Sequence, residues 1–150
     1  MENRTAFDFY SDKLDSELIN IDNIAMIVFD INGLKEINDI YGHAEGDCII
    51  KGCANTINTA YGSIGRIFRI GGDEFVFISL DSNSEKLSDA SKIFLHEIDK
   101  YNLSSPKCKL GVAYGLAHYN PQTDKCMHDI FLKSDAEMYQ NKSMQKHQLV

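Results

Sequence analysis

The sequence predicts an α+β fold with a ferredoxin-like βαββαβ core, extra helices and a central antiparallel sheet. Three observations support this fold class. The run Ile24–Ile31 is continuously apolar until an acid near its end, which is typical of a strand buried on both faces. Two further β-rich runs, 66–70 and 74–80, are separated by a short glycine-containing turn. Segments of helical periodicity separate the strands, in the order helix, β, α, β-hairpin, α, β, α.

The remaining elements follow from periodicity and from glycine. Five segments repeat apolar residues at helical spacing: Asn3–Ile19, Leu34–Tyr41, Gly46–Ala60, Ser84–Tyr101 and Lys125–Met144. The fourth is expected to bury Leu87, Ile93, Phe94 and Ile98. Gly42 can end the second helix, and a last strand is predicted over 107–117. Gly71 and Gly72 are expected to supply the positive φ of a tight hairpin turn.

Composition narrows the class of protein. The 150 residues, 43% hydrophobic and 25% charged, are typical of one globular domain. The net charge of −7 argues against a nucleic-acid partner, although phosphate ligands remain compatible if a divalent metal supplies positive charge. The four cysteines form no CxxC pair and are expected to be free thiols. The sequence contains neither a signal peptide nor an apolar run long enough to cross a membrane, so we expect a cytoplasmic domain without membrane contact.

Three acids are expected to meet at one edge of the sheet. In a ferredoxin-like fold the first and third strands are antiparallel central neighbours, so Asp30 lies beside Asp73 and Glu74. Carboxylates this close repel each other unless a cation or a proton lies between them. Hard oxygen ligands favour Mg²⁺ or Mn²⁺ over zinc. Taken singly, a Gly-Gly-Asp sequence is more often an ordinary hairpin turn, and a strand often ends on a polar residue.

Two long stretches carry a family resemblance. "RIGGDEFVFI" (69–78) and "FDINGLKEINDIYGHAEGD" (29–47) resemble the signature motifs of GGDEF-domain diguanylate cyclases. "NRTAF" (3–7) and "SDAEMYQNK" (134–142) are similar to the terminal motifs of that family. The resemblance covers nearly the whole chain. It implies a nucleotidyl cyclase or polymerase-palm-like fold, and an enzyme that condenses two GTP into cyclic di-GMP with release of two pyrophosphates.

The resemblance implies a catalytic and metal-binding set. Asp30, the carbonyl of Ile31, and Asp73 would hold Mg²⁺ or Mn²⁺, with two ions in each active site. Glu74 would bind the second ion or help to deprotonate the 3′-hydroxyl that attacks the α-phosphorus. Asp30, Asp73 and Glu74 are therefore the expected catalytic residues.

The resemblance also implies a guanine pocket. Asn38 and Asp47 would read the edge of the base. A carboxylate suits guanine because its two oxygens accept hydrogen bonds from N1–H and from the exocyclic amine together. Adenine has no proton on N1, so Asp47 disfavours an adenine-containing product.

Basic and glycine residues would bind the triphosphate. Lys35 and Lys142 are the implied phosphate ligands. Lys146 follows Lys142 by one helical turn and can replace the charge of the family's arginine, without its bidentate grip. Gly71 and Gly72 would let the backbone approach the phosphates because neither carries a Cβ.

The resemblance implies partners as well. Each domain presents one GTP, so two copies must face each other for catalysis, and the active state is a homodimer. No heptad repeat provides a strong dimer interface, so we expect the chain alone to be mostly monomeric. It begins inside the family's N-terminal motif, and we expect a piece of a longer signalling protein with a sensory module upstream.

Alternatives remain open at this stage. A catalytically silent GGDEF domain would bind GTP as a regulatory ligand, although such domains usually lose one of the three acids that are present here. The family's inhibitory product site, R-x-x-D, would fall at Gly62 and Gly65, which have no side chains to bind a ligand. We therefore expect no tight product inhibition through that site.

Overall fold

The computed structural model describes residues 1–18, 21, 23–81, 83–104 and 106–148, with residues 146–148 described by their backbone alone. The elements are α1 (Arg4–Glu17), β1 (Ala25–Ile31), α2 (Leu34–Tyr41), α3 (His43–Tyr61), β2 (Arg66–Arg69), β3 (Glu74–Ser79), α4 (Ser84–Leu103), β4 (Val112–His118) and α5 (Met127–Gln148). The strands form one antiparallel sheet in the order β2-β3-β1-β4. This confirms the predicted α+β, ferredoxin-like core.

The two faces of β1 pack into separate cores. Side chains such as Ile27 and Phe29 join a cluster with α3 and α4. Their neighbours Met26 and Val28 join a second cluster with α1 and α5. Because side chains alternate along a strand, Asp30 belongs to the face that α1 and α5 cover.

The boundaries of two elements differ from the sequence prediction. Helix α3 starts at His43 instead of Gly46, since Gly42 alone, at a φ of 89°, separates it from α2. Strand β4 starts at Val112 instead of residue 107. The side-chain amide of Asn102 bonds both the N–H and the carbonyl of Leu110, at 2.8 and 3.0 Å, and so takes these groups out of the sheet.

One inward position was also predicted wrongly. Ile93 was expected in the core, yet it is 43% exposed. The buried residues of α4 are Leu87, Ala90 and Phe94. Ala90 lies three residues before Ile93 and faces the core. The buried face of α4 therefore includes a small side chain, which a search for large apolar residues at helical spacing does not identify.

The prediction of a positive φ at Gly71 and Gly72 is wrong. Among the described glycines only Gly33 and Gly42 have positive φ. The hairpin loop is four residues long, 70–73, and the N–H groups of Ile70 and Gly71 both donate to the carbonyl of Glu74. Loops of this length are commonly built around a type I turn, which needs no positive φ.

Helix α5 lies unusually close to β4. A Cβ placed on Gly115 would overlap the backbone nitrogen of Met138 and the carbonyl oxygen of Ser134. Ser134 is fully buried and donates its hydroxyl to the carbonyl of Met26 at 3.0 Å. At the start of the helix, the Asp15 carboxylate accepts a hydrogen bond from the Met127 N–H at 2.7 Å. These contacts fix the path of α5 across the sheet.

None of the helices in the described part of the chain has both the length and the apolar content that a membrane span requires.

All four cysteines are free thiols, as expected.

Candidate active site

The three acids lie at one edge of the sheet, as the topology predicted. Asp30 stands directly opposite Glu74 in the register of β1 and β3. One step further along, the N–H of Ile31 donates to the carbonyl of Asp73 at 2.8 Å. This hydrogen bond extends the pairing of the two strands into the turn. It therefore holds the Gly-Gly-Asp loop against the end of β1.

Asp30 is largely enclosed. Its side chain is only 14% exposed. Its Oδ2 atom accepts a hydrogen bond from the Lys142 ammonium at 3.0 Å, while Oδ1 is buried and has no partner. Burial raises the pKa of Asp30, the bond from Lys142 lowers it, and the adjacent Asp73 raises it again. The pKa of Asp30 therefore lies above its usual value, mainly because burial disfavours the charged carboxylate.

Glu74 lies among further acids. Burial raises the pKa of its carboxyl, and the negative charges of Asp135, Asp30 and Asp73 raise it further. Arg4, in the first turn of α1, lowers it. Proton affinity at this position therefore depends on α1 and α5 as well as on the strands.

Asp135 and Arg4 were not among the residues predicted for the site. Asp135 lies on the last helix, α5. The structure places it near Glu74, and burial raises its own pKa. Both residues lie inside the two terminal motifs, "NRTAF" and "SDAEMYQNK", and that position was the signal that would have identified them.

The donor set suits a hard cation. In the described part of the chain, no group of three or more acidic, His or Cys side chains is arranged to hold a metal ion. The Lys142 ammonium instead lies against one oxygen of Asp30. The other oxygen is buried without a donor, and the negative charges of Asp73 and Asp135 add to those of Asp30 and Glu74 at this edge. An additional cation at this edge would satisfy both features.

The glycine turn is exposed and held by an arginine. The Arg69 guanidinium donates to the carbonyl of Gly71 at 3.1 Å and to that of Gly72 at 2.9 Å. A Cβ on Gly72 would meet no atom within 4 Å. The turn therefore presents bare backbone to solvent, with its carbonyls already engaged and its shape fixed.

The two residues predicted to read the base lie together at the α2–α3 corner. The side-chain amide of Asn38 covers Gly46, where any Cβ would overlap its oxygen. Asp47 is the next residue of α3 and is exposed. The glycine that precedes Asp47 thus makes room for Asn38, which explains the Gly-Asp pair in the motif.

The predicted phosphate ligands differ in their exposure and in their partners. Lys35 is exposed on the second residue of α2, one turn before Asn38. Lys142 reaches the edge of the sheet from α5, but its partner is Asp30. The side chain of Lys146 lies outside the described residues.

A cavity of about 680 Å³ opens beside Glu74 between α1 and α5. Its lining is strongly acidic and includes Asp8, Asp12, Asp15 and Asp135. Such a surface repels an anionic ligand.

A comparison with protein families decides the identity. A model described as "Diguanylate cyclase, GGDEF domain" matches residues 1–148. The chain belongs to the GGDEF family of diguanylate cyclases. This confirms the resemblance drawn from the motifs.

Individual relatives agree with the family match. The bifunctional diguanylate cyclase/cyclic di-GMP phosphodiesterase MucR of Pseudomonas aeruginosa is 30% identical over 119 residues, which are 79% of this chain and 17% of MucR. The probable diguanylate cyclase DgcJ of Escherichia coli is 29% identical over 120 residues, which are 80% of this chain and 23% of DgcJ. The chain therefore spans less than a quarter of either relative.

A solved structure extends the likeness to the fold. The coiled coil and GGDEF domain of DgcB from Caulobacter crescentus, crystallised in complex with c-di-GMP, has a TM-score of 0.80 and 25% identity to this GGDEF domain. The match covers 94% of this chain and 76% of that one.

Arg66, the arginine next to the family's product-site positions, is already engaged. Arg66 follows Gly65 and donates through Nε to Glu2 at 2.9 Å, with a second bond from Nη2. Its guanidinium also lies 4.0 Å from the centre of the Tyr10 ring. A ligand at this position would have to compete with both contacts.

In metal-free protein we expect Glu74→Gln to raise the free energy of unfolding at neutral pH, and to leave it nearly unchanged well below the unfolded-state pKa of 4.5. The folded state raises the Glu74 pKa above 4.5, so it binds this proton more tightly than the unfolded chain does. Stability is therefore lost as the pH rises through the folded-state pKa, and a neutral glutamine avoids that loss. Urea unfolding across this pH range measures the difference.

Glu137→Gln is the matched control, since Glu137 is an exposed carboxylate of the same sheet-covering helix α5. Its effect on stability should be small at every pH. Equal stability of Glu74→Gln and wild type at high pH would contradict the electrostatic description of the site.

Proposed function

We propose that this GGDEF domain is an active diguanylate cyclase, which condenses two GTP into cyclic di-GMP and releases two pyrophosphates. The observation that carries the proposal is the register of β1 and β3, which places Asp30 opposite Glu74 and ties Asp73 to the end of β1. Carboxylates held this close together lower the stability of the fold, so their presence here indicates a functional role. The names of MucR, DgcJ and the DgcB complex support the same activity.

The acids are proposed to hold two Mg²⁺ or Mn²⁺ ions through Asp30, the Ile31 carbonyl, Asp73 and Glu74. Such ions lower the pKa of a bound hydroxyl and neutralise the charge of a leaving pyrophosphate. The unpartnered Oδ1 atom of Asp30 supports this assignment, because it is a buried acceptor facing excess negative charge.

Glu74 is proposed to assist removal of the proton from the attacking 3′-hydroxyl. Burial and the charge of Asp135 raise the pKa of its carboxyl, which makes the carboxylate a stronger base than an exposed glutamate. Arg4 acts in the opposite direction and keeps the ionised form populated. The two helices that flank the sheet thus set the basicity of this residue.

The nucleotide is proposed to span the face between α2 and the GGDEF turn. Asn38 and Asp47 would bond the guanine edge; the Asn38 amide covers Gly46, the residue that precedes Asp47, which supports this pairing. Lys35, Lys142 and Lys146 would contact the phosphates. The bare backbone at Gly72 leaves open space for that approach.

Catalysis requires two copies in this proposal. A single bound GTP cannot bring its own 3′-hydroxyl to its own α-phosphorus, so a second domain must face the first with C2 symmetry. We propose a transient homodimer, with the chain mostly monomeric on its own. We further propose that residues 1–150 act as one cytoplasmic domain of a longer signalling protein.

The proposal is tested by incubating the protein with Mg²⁺ and each nucleoside triphosphate, and identifying the products by mass. We expect cyclic di-GMP from GTP alone. Asp73→Ala should abolish turnover, and Glu74→Gln should nearly do so, because each removes charge that the reaction needs while the fold survives. Circular dichroism checks the fold of each variant.

Asp89→Ala provides the control, because Asp89 is an exposed acid on α4 and lies outside the site. It should react at the wild-type rate. GTP binding without any product would instead identify a silent regulatory domain. Wild-type turnover in Asp73→Ala would show that the site has been assigned wrongly.

Base selectivity tests the guanine pocket separately. Asn38→Ala and Asp47→Ala should each weaken GTP binding by about 1.5–3 kcal/mol and reduce the preference over ATP, because each removes hydrogen bonds to the base. Competition between GTP and ATP for the protein measures this preference. Asp39→Ala, an exposed neighbour of Asn38, should change neither quantity. An unchanged preference in both pocket variants would place the base elsewhere.

A further inference from the structure

The stretch of α5 that carries Lys142, residues 139–145, buries no apolar side chain. Met138, the last buried apolar residue of the helix in its described part, is 2% exposed. Beyond it, Tyr139 is 59% exposed and Met144 63% exposed. No apolar side chain of residues 139–145 is therefore available to anchor this stretch to the sheet.

Gln145 makes two of the polar contacts. Its Oε1 atom accepts a hydrogen bond from the Asn32 side-chain amide at 2.7 Å. Its Nε2 atom donates to the carbonyl of Val112 at 3.2 Å. One side chain thus joins α5 to the β1–α2 loop and to the start of β4.

Asn32 is itself held in place. Its backbone N–H donates to the carbonyl of Gly111 at 2.8 Å. A Cβ on Gly111 would lie 3.2 Å from the Asn32 amide nitrogen, so the glycine leaves that amide the room it occupies. Asn32 therefore offers Gln145 a fixed partner two residues after Asp30.

The third contact of this stretch is the ion pair of Lys142 with Asp30, at 3.0 Å. Gln145 follows Lys142 by three residues, so both side chains leave the helix on the same face. When Lys142 turns from Asp30 to a phosphate, the ion pair opens. Among the described residues, the two hydrogen bonds of Gln145 are then the contacts that keep this part of the helix on the sheet.

We propose that Gln145, with Asn32 as its partner, is a positioning residue that holds Lys142 within reach of the triphosphate. The inference rests on the proposed role of Lys142 as a phosphate ligand. Gln145 acts through the helix and touches no substrate atom. Its loss should weaken recognition of the β- and γ-phosphates while the base pocket at the α2–α3 corner is unaffected.

Calorimetry with two ligands tests this selectivity in nucleotide-free protein. The first is the α,β-methylene analogue of GTP, which cannot release pyrophosphate. The second is GMP, which carries the same base and lacks the β- and γ-phosphates. Gln145→Met keeps the length of the side chain and removes both hydrogen bonds. We expect this variant to weaken binding of the analogue about tenfold and binding of GMP by less than about twofold.

Met144→Ala is the matched control, as it changes an exposed neighbour on the same turn. It should bind both ligands like wild type. Equal weakening of both ligands by Gln145→Met would indicate general damage to the fold and overturn the proposal. Wild-type binding of both would overturn it as well.

A double-mutant cycle tests the partner. Asn32→Ala should weaken binding of the analogue. Adding Gln145→Met to it should cost less than Gln145→Met costs alone, because the shared hydrogen bond is already lost and only the bond to Val112 remains to be removed. Full additivity of the two changes would overturn the pairing.

Lys142→Ala distinguishes a failure of the positioning role of Gln145 from a failure of the phosphate contact of Lys142. If it weakens the analogue while Gln145→Met does not, Lys142 binds phosphate and the positioning role is wrong. If Lys142→Ala leaves the analogue unchanged, the proposed phosphate contact of Lys142 is itself wrong, and the positioning role falls with it.

Discussion

The pairing of β1 with β3 is the constraint on which the rest of this structure depends. Antiparallel strands fix which residues face each other, and here the register sets Asp30 directly opposite Glu74. The backbone bond from Ile31 to Asp73 then carries the turn to the same edge. A shift of one residue in this register would send the acids to opposite faces of the sheet. The two apolar cores that flank β1 oppose any such shift.

Holding these acids together destabilises the metal-free fold, and the neighbouring helices limit that cost. Lys142 supplies one positive charge from α5, and Arg4 supplies another from α1. The nearby carboxylates of Asp30, Asp73, Glu74 and Asp135 outnumber these two positive charges, so compensation is incomplete. Incomplete compensation favours binding of a cation, because a fully neutralised site would have little affinity for one. A cation bound there would release Lys142 for its proposed phosphate contact, with Gln145 proposed to keep its helix in place.

The sequence predicted the fold class and the meeting of Asp30 with Glu74, because both follow from strand order alone. It did not predict that Asp135 lies near Glu74, since that distance depends on how closely α5 approaches the sheet at Gly115. Helical periodicity identifies the inward face of α5 but not its height above β4. The late start of β4 was missed for a similar reason, because a side chain distant in sequence, Asn102, takes the backbone groups of the expected first residues.

The central claim is that this sheet edge binds divalent cations through its acids. Titration with Mn²⁺, followed by electron paramagnetic resonance in the presence of the α,β-methylene analogue of GTP, tests it directly. Asp30→Asn removes one charge and keeps the shape of the side chain. We expect two Mn²⁺ ions per wild-type chain, broadened by each other, and the loss of at least one in the variant. The same number of ions bound with the same affinity by Asp30→Asn would contradict the account.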